Sequence, residues 1–141
     1  MEAIIEPYVG VGPVRLGMSV QEVRQALGAE FKTFMKTPTS EMPSDFFRTL
    51  GFIVYYRSPG LCKAVELVKP ATPIFMGRRL LGIRFSGVRS WFENIDDSLE
   101  IQDTGLTSYR FGIGLYVPSA RKSPDDPVES AIVFEQGYYR H

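Results

Sequence analysis

The sequence predicts an α+β domain in which two helices pack on one face of an antiparallel sheet. Three observations point there. Residues 19–28 carry a full set of helix start and stop signals, and residues 86–96 repeat apolar side chains at helical spacing. Much of the remainder is rich in Phe, Tyr, Val and Ile, or alternates apolar with polar, as half-buried strands do. At 141 residues the chain is the size of one domain, so residues 1–141 are expected to share a single core.

Residues 2–16 read as a short strand, a glycine turn and a second extended piece. The first helix follows. Ser19 is a suitable N-cap and Glu22 stands three residues on, which makes a capping box. Val20, Val23 and Leu27 line one face with Ala26 beside them, while Gln21, Arg24 and Gln25 look outward. Gly28 supplies the left-handed stop. Next come a strand at 30–36, a loop rich in Pro, Ser and Thr at 37–45, and a strongly β run at 46–57. The turn 58–61 leads into strand 62–69, where Val65 and Leu67 alternate with Ala64 and Glu66. Residues 70–85 form a connector of mixed character.

The second helix is expected at 86–96, with Ser86 as its cap and Val88, Trp91, Phe92 and Ile95 on its inner face. Strands at 98–103, 106–117 and 128–136, with a polar loop at 118–127, complete an antiparallel meander. The two halves, 16–69 and 83–136, then share one order of helix and strands, with "GFIVYY" matching "FGIGLYV" and "KAVELV" matching "ESAIVF". This order suggests a tandem α-β-β duplication.

Charge and composition narrow the function. Sixteen acidic residues balance sixteen basic ones, so no net field gathers nucleic acid or anionic lipid. No apolar run reaches the length of a membrane span and the first ten residues lack a signal-peptide pattern, which points to the cytoplasm. Cys62 is the single cysteine, so neither a disulfide framework nor a thiolate metal cluster is expected.

The glycine-rich stretch "GVGPVRLGMS" invites a phosphate-loop reading and does not carry it. A dinucleotide fingerprint starting at Gly10 needs a glycine where Arg15 stands, and a P-loop ends in Gly-Lys-Ser/Thr rather than Gly17-Met18-Ser19. His141 is the only histidine and the last residue, a poor place for a general base or metal ligand. Cys62 and Lys63 are neighbours on a strand and point to opposite faces, so Cys62 reads as a buried structural residue. Glu93 with Asp97, Asp96-Asp97 and Asp125-Asp126 read as solvated charge, since none has the ligand spacing of a calcium loop. No catalytic residue and no cofactor or metal ligand is assigned.

Aromatic doublets remain: Phe46-Phe47, Tyr55-Tyr56, Trp91-Phe92 and Tyr138-Tyr139. A doublet on a strand sends one ring to each face, so one of Tyr55 and Tyr56 faces away from the helices. With Arg57, Tyr109 and Arg110 it would form the Tyr/Arg surface favoured at protein interfaces. Asp125 and Asp126, in the loop 118–127, complete the candidate partner-binding set, and loop 37–45 is a further contact region.

The stretch "LGMSVQEVRQALG" resembles an element G-M-[ST]-x-x-x-V-x-x-x-x-G, matched here by Gly17, Met18, Ser19, Val23 and Gly28. That element occurs in the beta-lactamase inhibitor protein family and in small outer-membrane lipoproteins of the barrel-assembly machinery. The resemblance covers about a tenth of the chain, largely helix-start and packing positions, and "RFSGVRSWFENID" in the second half lacks its Gly-Met. It implies a helix laid on an antiparallel sheet and a protein that binds proteins without catalysis. The chain departs from those families in having neither a lipidation cysteine near its start nor disulfide pairs. A cytoplasmic relative would be similar to the immunity proteins encoded beside bacterial toxins. The expectation is therefore a non-catalytic module that blocks a partner protein, a toxin for example, with a homodimer as another occupant of the same patch. The alternative is a small-ligand-binding protein or enzyme with a pocket between helices and sheet, lined by Arg78, Arg79 or Arg84.

Overall fold

The computed structural model describes residues 1–139. His141 lies outside the described residues. The class is α+β, with two helices and two mostly antiparallel sheets instead of the single sheet expected. In chain order the strands begin with β1 (Glu2–Glu6), β2 (Gly10–Val11) and β3 (Val14–Arg15), followed by helix α1 (Val20–Leu27). A first meander follows: β4 (Lys32–Phe34), β5 (Ser44–Phe47), β6 (Phe52–Arg57) and β7 (Leu61–Val68). Then come β8 (Thr72–Phe75), β9 (Arg78–Arg79) and helix α2 (Phe85–Ile95). A second meander closes the order with β10 (Glu100–Gln102), β11 (Gly105–Ser108), β12 (Ile113–Tyr116) and β13 (Ser130–Phe134).

The two meanders join edge to edge. β7 pairs antiparallel with β13, which makes one eight-stranded sheet in the order β10-β11-β12-β13-β7-β6-β5-β4. The connector expected at 70–85 is in part a second sheet: β8 and β9 join β1, β2 and β3 in five strands, β8 lying parallel to β1. Its order was missed because two-residue strands such as β3 and β9 are too short to show a period.

Local signals explain the elements. The capping box is formed as read: the Glu22 amide donates to Ser19 Oγ at 3.1 Å and the Ser19 amide donates to Glu22 Oε1 at 3.0 Å. Gly28 ends α1 with φ 58°, its amide donating to the Arg24 carbonyl. Val23 and Leu27 are buried as expected, whereas Ala26 is exposed. Helix α2 starts a residue earlier than expected, and Arg84 rather than Ser86 is its N-cap, without a side-chain cap. Backbone carbonyls of the 118–127 loop take that place: Phe85 donates to Asp126 and Ser86 to Pro124.

The β run 46–57 is broken in two at Gly51, where φ is 75° and an added Cβ would stand 2.1 Å from the Val68 carbonyl oxygen. Only glycine fits that crossing. Likewise the run 106–117 is a hairpin, with residues 109–112 turning between β11 and β12.

One face of the large sheet, contributed by Val54, Tyr56, Val65, Leu67, Ala131 and Val133, shares its core with Val23 and Leu27 of α1 and Phe85, Val88 and Phe92 of α2. The same core takes in Ala3, Ile5, Val11 and Phe75 of the small sheet. No helix among the described residues is long and apolar enough to cross a membrane. The capping box predicts a modest, local cost: Ser19→Ala should lower the free energy of unfolding by about 1 kcal/mol in urea denaturation, without changing its denaturant dependence.

Candidate functional site

Strand alternation gives the large sheet a second face, with a buried cluster of its own. Tyr55, Ala64 and Phe134 are buried there, with Tyr8, Ile53, Ile132 and Tyr138 packed on them. Phe134 is the hub. Tyr138 stacks on it with centroids 5.6 Å apart, and Tyr8 and Tyr139 meet it edge-on at 6.0 and 5.1 Å. Tyr109 reaches the same ring at 6.3 Å and Tyr139 at 6.0 Å. The Tyr8 hydroxyl donates to the Tyr109 carbonyl, which ties the 109–112 turn to the N-terminal sheet.

Tyr55 and Tyr56 do point to opposite faces, with a register shift between them. Neither is at the surface: 6% and 3% of their areas are exposed. Tyr55 donates its hydroxyl to Glu66 Oε1 at 2.6 Å and lies under Lys36, whose Nζ is 4.3 Å from the ring centroid. Tyr56 turns inward and donates to Asp45 Oδ2 at 2.9 Å. Arg57 is half-exposed and paired with Glu135 at 3.1 Å.

Tyr109 is exposed, as is Arg110, whose guanidinium lies 5.4 Å from the Phe111 ring centroid. Asp125 and Asp126 are exposed too, but on the α2 side: Asp125 accepts from Ser86 Oγ at 2.7 Å and Asp126 accepts from Ser119 Oγ. The structure thus gathers Tyr55 and Tyr109 around the Phe134 cluster. Tyr56 belongs to the opposite face, and Asp125 and Asp126 to the loop at the start of α2.

Beyond the aromatic hub the outer face forms an open groove of about 380 Å³. Its floor is a row of paired positions running across five strands: Glu66, Ile132, Gly114, Thr107 and Glu100. Tyr109 and Tyr139 flank it together with Tyr116, and these three rings are 43%, 44% and 46% exposed. The sequence does not assign Tyr116, Tyr139, Glu66 and Glu100 to a site, because only the order of strands puts Glu66 and Glu100 in one row and the two tyrosines beside it. The alternation in β12 does mark Tyr116 as outward-facing.

Two carboxylates on the core side had also been read as loop or solvated charge. Asp45, 1% exposed, lies in β5 rather than in the 37–45 loop. It accepts from Arg24 Nε and a terminal guanidinium nitrogen, both at 2.9 Å, from Tyr56, and from Thr33 Oγ1 at 3.2 Å. Asp96, 2% exposed, accepts from Ser108 Oγ at 2.7 Å and the Ser98 amide at 3.0 Å. Asp96 therefore ends α2 as a buried tie to β11 and is not a solvated partner of Asp97. Cys62 is buried as expected, and burial pushes its thiol up to about 12.

A larger cavity of about 760 Å³ opens between the β7–β8 turn and the 127–129 segment, with Lys69, Thr72, Arg79 and Glu129 among its lining. Of the three connector arginines only Arg79 lines it; Arg78 lies over the Trp91 ring at 5.0 Å, and Arg84 bridges to Pro127. Among the described residues no three His, Cys, Asp or Glu side chains gather closely enough to hold a metal ion. Compared with protein-family models, curated proteins and solved structures, the chain matches none.

Two predictions follow from these side chains. Asp45→Ala leaves a half-buried guanidinium and the Tyr56 hydroxyl without their acceptor, and should cost about 3–5 kcal/mol, whereas Tyr56→Phe should cost about 1 kcal/mol; urea unfolding separates the two. Burial raises the acid groups Cys62, Tyr55, Tyr56 and Tyr138 above their ordinary values of 9.0 and 10.0. The unfolded chain therefore loses these protons before the folded one does. Their stabilising contribution is full below pH 9, and the urea midpoint should fall as pH rises from about 9 through 12.

Proposed function

We propose that this chain is a non-catalytic protein-binding module, an immunity or inhibitor protein that neutralises a bacterial toxin. It would present the outer face of the eight-stranded sheet. One observation carries the reading: Tyr109, Tyr116 and Tyr139 stand exposed around a groove whose floor is regular sheet. Tyrosine offers a large apolar ring with a polar tip at low entropic cost, which suits it to interface cores. A floor held by strand pairing is already organised, so little is lost in ordering it on binding. The reading takes a protein, rather than nucleic acid or a membrane, as the target, and the bacterial cytoplasm as the compartment. Loop 37–45 reaches the same side: Thr39 to Met42 line a smaller hollow with Tyr55 and Tyr138.

The kinship suggested by Gly17, Met18, Ser19, Val23 and Gly28 belongs to this proposal, as does a tandem duplication with both helices on one sheet face. Supporting the duplication, each half runs helix then four-stranded meander, and the halves meet through their last strands, β7 and β13. Supporting the shared face, Val23 of α1 and Val88 of α2 lie in one core with the inward residues of β7 and β13.

The cavity near Arg79 favours a second reading, a small-ligand-binding protein, because its 760 Å³ would hold a compact ligand. The two readings part on one experiment. Immobilised protein should retain a single stoichiometric partner that is lost by Tyr116→Ala and Tyr109→Ala, while Arg79→Ala retains it. Each truncation should weaken the purified complex by about 1–2 kcal/mol in calorimetry. Retention by both tyrosine variants, with native circular dichroism, would overturn the use of this face.

A further inference from the structure

We propose that the groove on the outer face receives a basic segment of the partner protein, with arginine side chains set against Glu66 and Glu100. The inference rests on the protein-binding reading of that face and names the chemistry the face selects. The two carboxylates stand at opposite ends of the five-residue row, with Ile132, Gly114 and Thr107 between them. At about 4.8 Å per strand the row spans roughly 19 Å between its end Cα atoms. Among the described residues no lysine or arginine lines the groove, and neither carboxylate is in an ion pair. The groove is therefore acidic in a chain whose total charge is balanced.

Both carboxylates are aimed by neighbours. Tyr55 holds Oε1 of Glu66 at 2.6 Å, and Gln102 Nε2 donates to Glu100 Oε1 and Thr107 Oγ1, each at 3.0 Å. Three exposed tyrosine rings stand beside them. A guanidinium suits such walls better than an ammonium. It is planar, weakly hydrated, stacks on aromatic faces, and donates in a fork to a carboxylate.

Gly114 lies at the middle of the floor. It sits inside β12, where glycine weakens a strand, and its backbone is not in the left-handed region. A Cβ there would stand 2.9 Å from Ile132 Cγ2 and 4.0 Å from the Tyr139 hydroxyl. Glycine there lets the Ile132 side chain close over the middle of the floor, between the two carboxylates.

The test uses the full chain, ¹⁵N-labelled, and the peptide acetyl-Arg-Gly-Arg-amide, with citrulline and lysine versions for comparison. Arginine should give saturable shifts at the amides of Gly114, Thr107 and Ile132. Lysine should bind more weakly and neutral citrulline should give no saturable shifts. Glu66→Gln keeps an acceptor for Tyr55 and should weaken binding about two- to fivefold, and the double variant with Glu100→Gln about tenfold. Equal shifts from citrulline, or no change in the double variant, would overturn the proposal. So would binding that appears only when residues 140 and 141 are removed. If the peptide fails while Tyr116→Ala still releases the partner, this inference falls and the protein-binding reading stands. If the peptide binds while the tyrosine variants keep their partner, the groove's preference for arginine stands, but its use by the partner falls and the proposal falls with it.

Discussion

The pairing of β7 with β13 is the interaction on which the rest depends. Five residue pairs, from Ala64 with Phe134 to Val68 with Ser130, turn two separate four-stranded meanders into one sheet. Each face is continuous only because of that seam. On the core side Val65 and Leu67 meet Val133 and Ala131. On the outer side Ala64 meets Phe134, the aromatic hub, and Glu66 meets Ile132, the start of the groove floor. A slip of one residue here would set the core side of one meander against the outer side of the other. On β7 the alternation of Val65 and Leu67 with Glu66 opposes such a slip.

Buried carboxylates hold each helix to its meander. Asp45 receives the Arg24 fork from α1 while taking hydroxyls from β4 and β6. Asp96, at the end of α2, takes the Ser108 hydroxyl from β11. Burying such groups is costly, and every carboxylate oxygen here has at least one donor, which offsets that cost. The apolar residues of α1 and α2 supply the attraction, and the carboxylates add directional bonds to it.

Elements with complete local chemistry were legible in the sequence. The capping box at Ser19 and Glu22, the stop at Gly28 and the alternation of β7 all rest on neighbouring residues. Other features depend on distant parts of the chain. Parallel pairing of β1 with β8 joins residues 2–4 to 72–74, and nothing within either segment announces it. The same holds for Asp45 and Asp96, whose burial is decided by Arg24 and Ser108 arriving from elsewhere. Tyr55 and Tyr56 show the limit of a doublet argument: opposite faces were predictable, but the loop and C-terminal residues that cover Tyr55 were not. The groove lay furthest from view, since its five floor residues come from five strands.

The seam also imposes an order on biosynthesis. As the ribosome releases the first meander, β7 carries Val65 and Leu67 on a strand edge with no neighbour, because its partner lies at residues 130–134. Everything between must be made first, including the second helix and five strands. For that interval the nascent chain holds out an apolar strand with one edge unpaired in a crowded cell, the kind of template that recruits other unfinished chains. A chaperone that shields residues 61–68 until the later strand arrives would thus act at the most exposed moment in this protein's life.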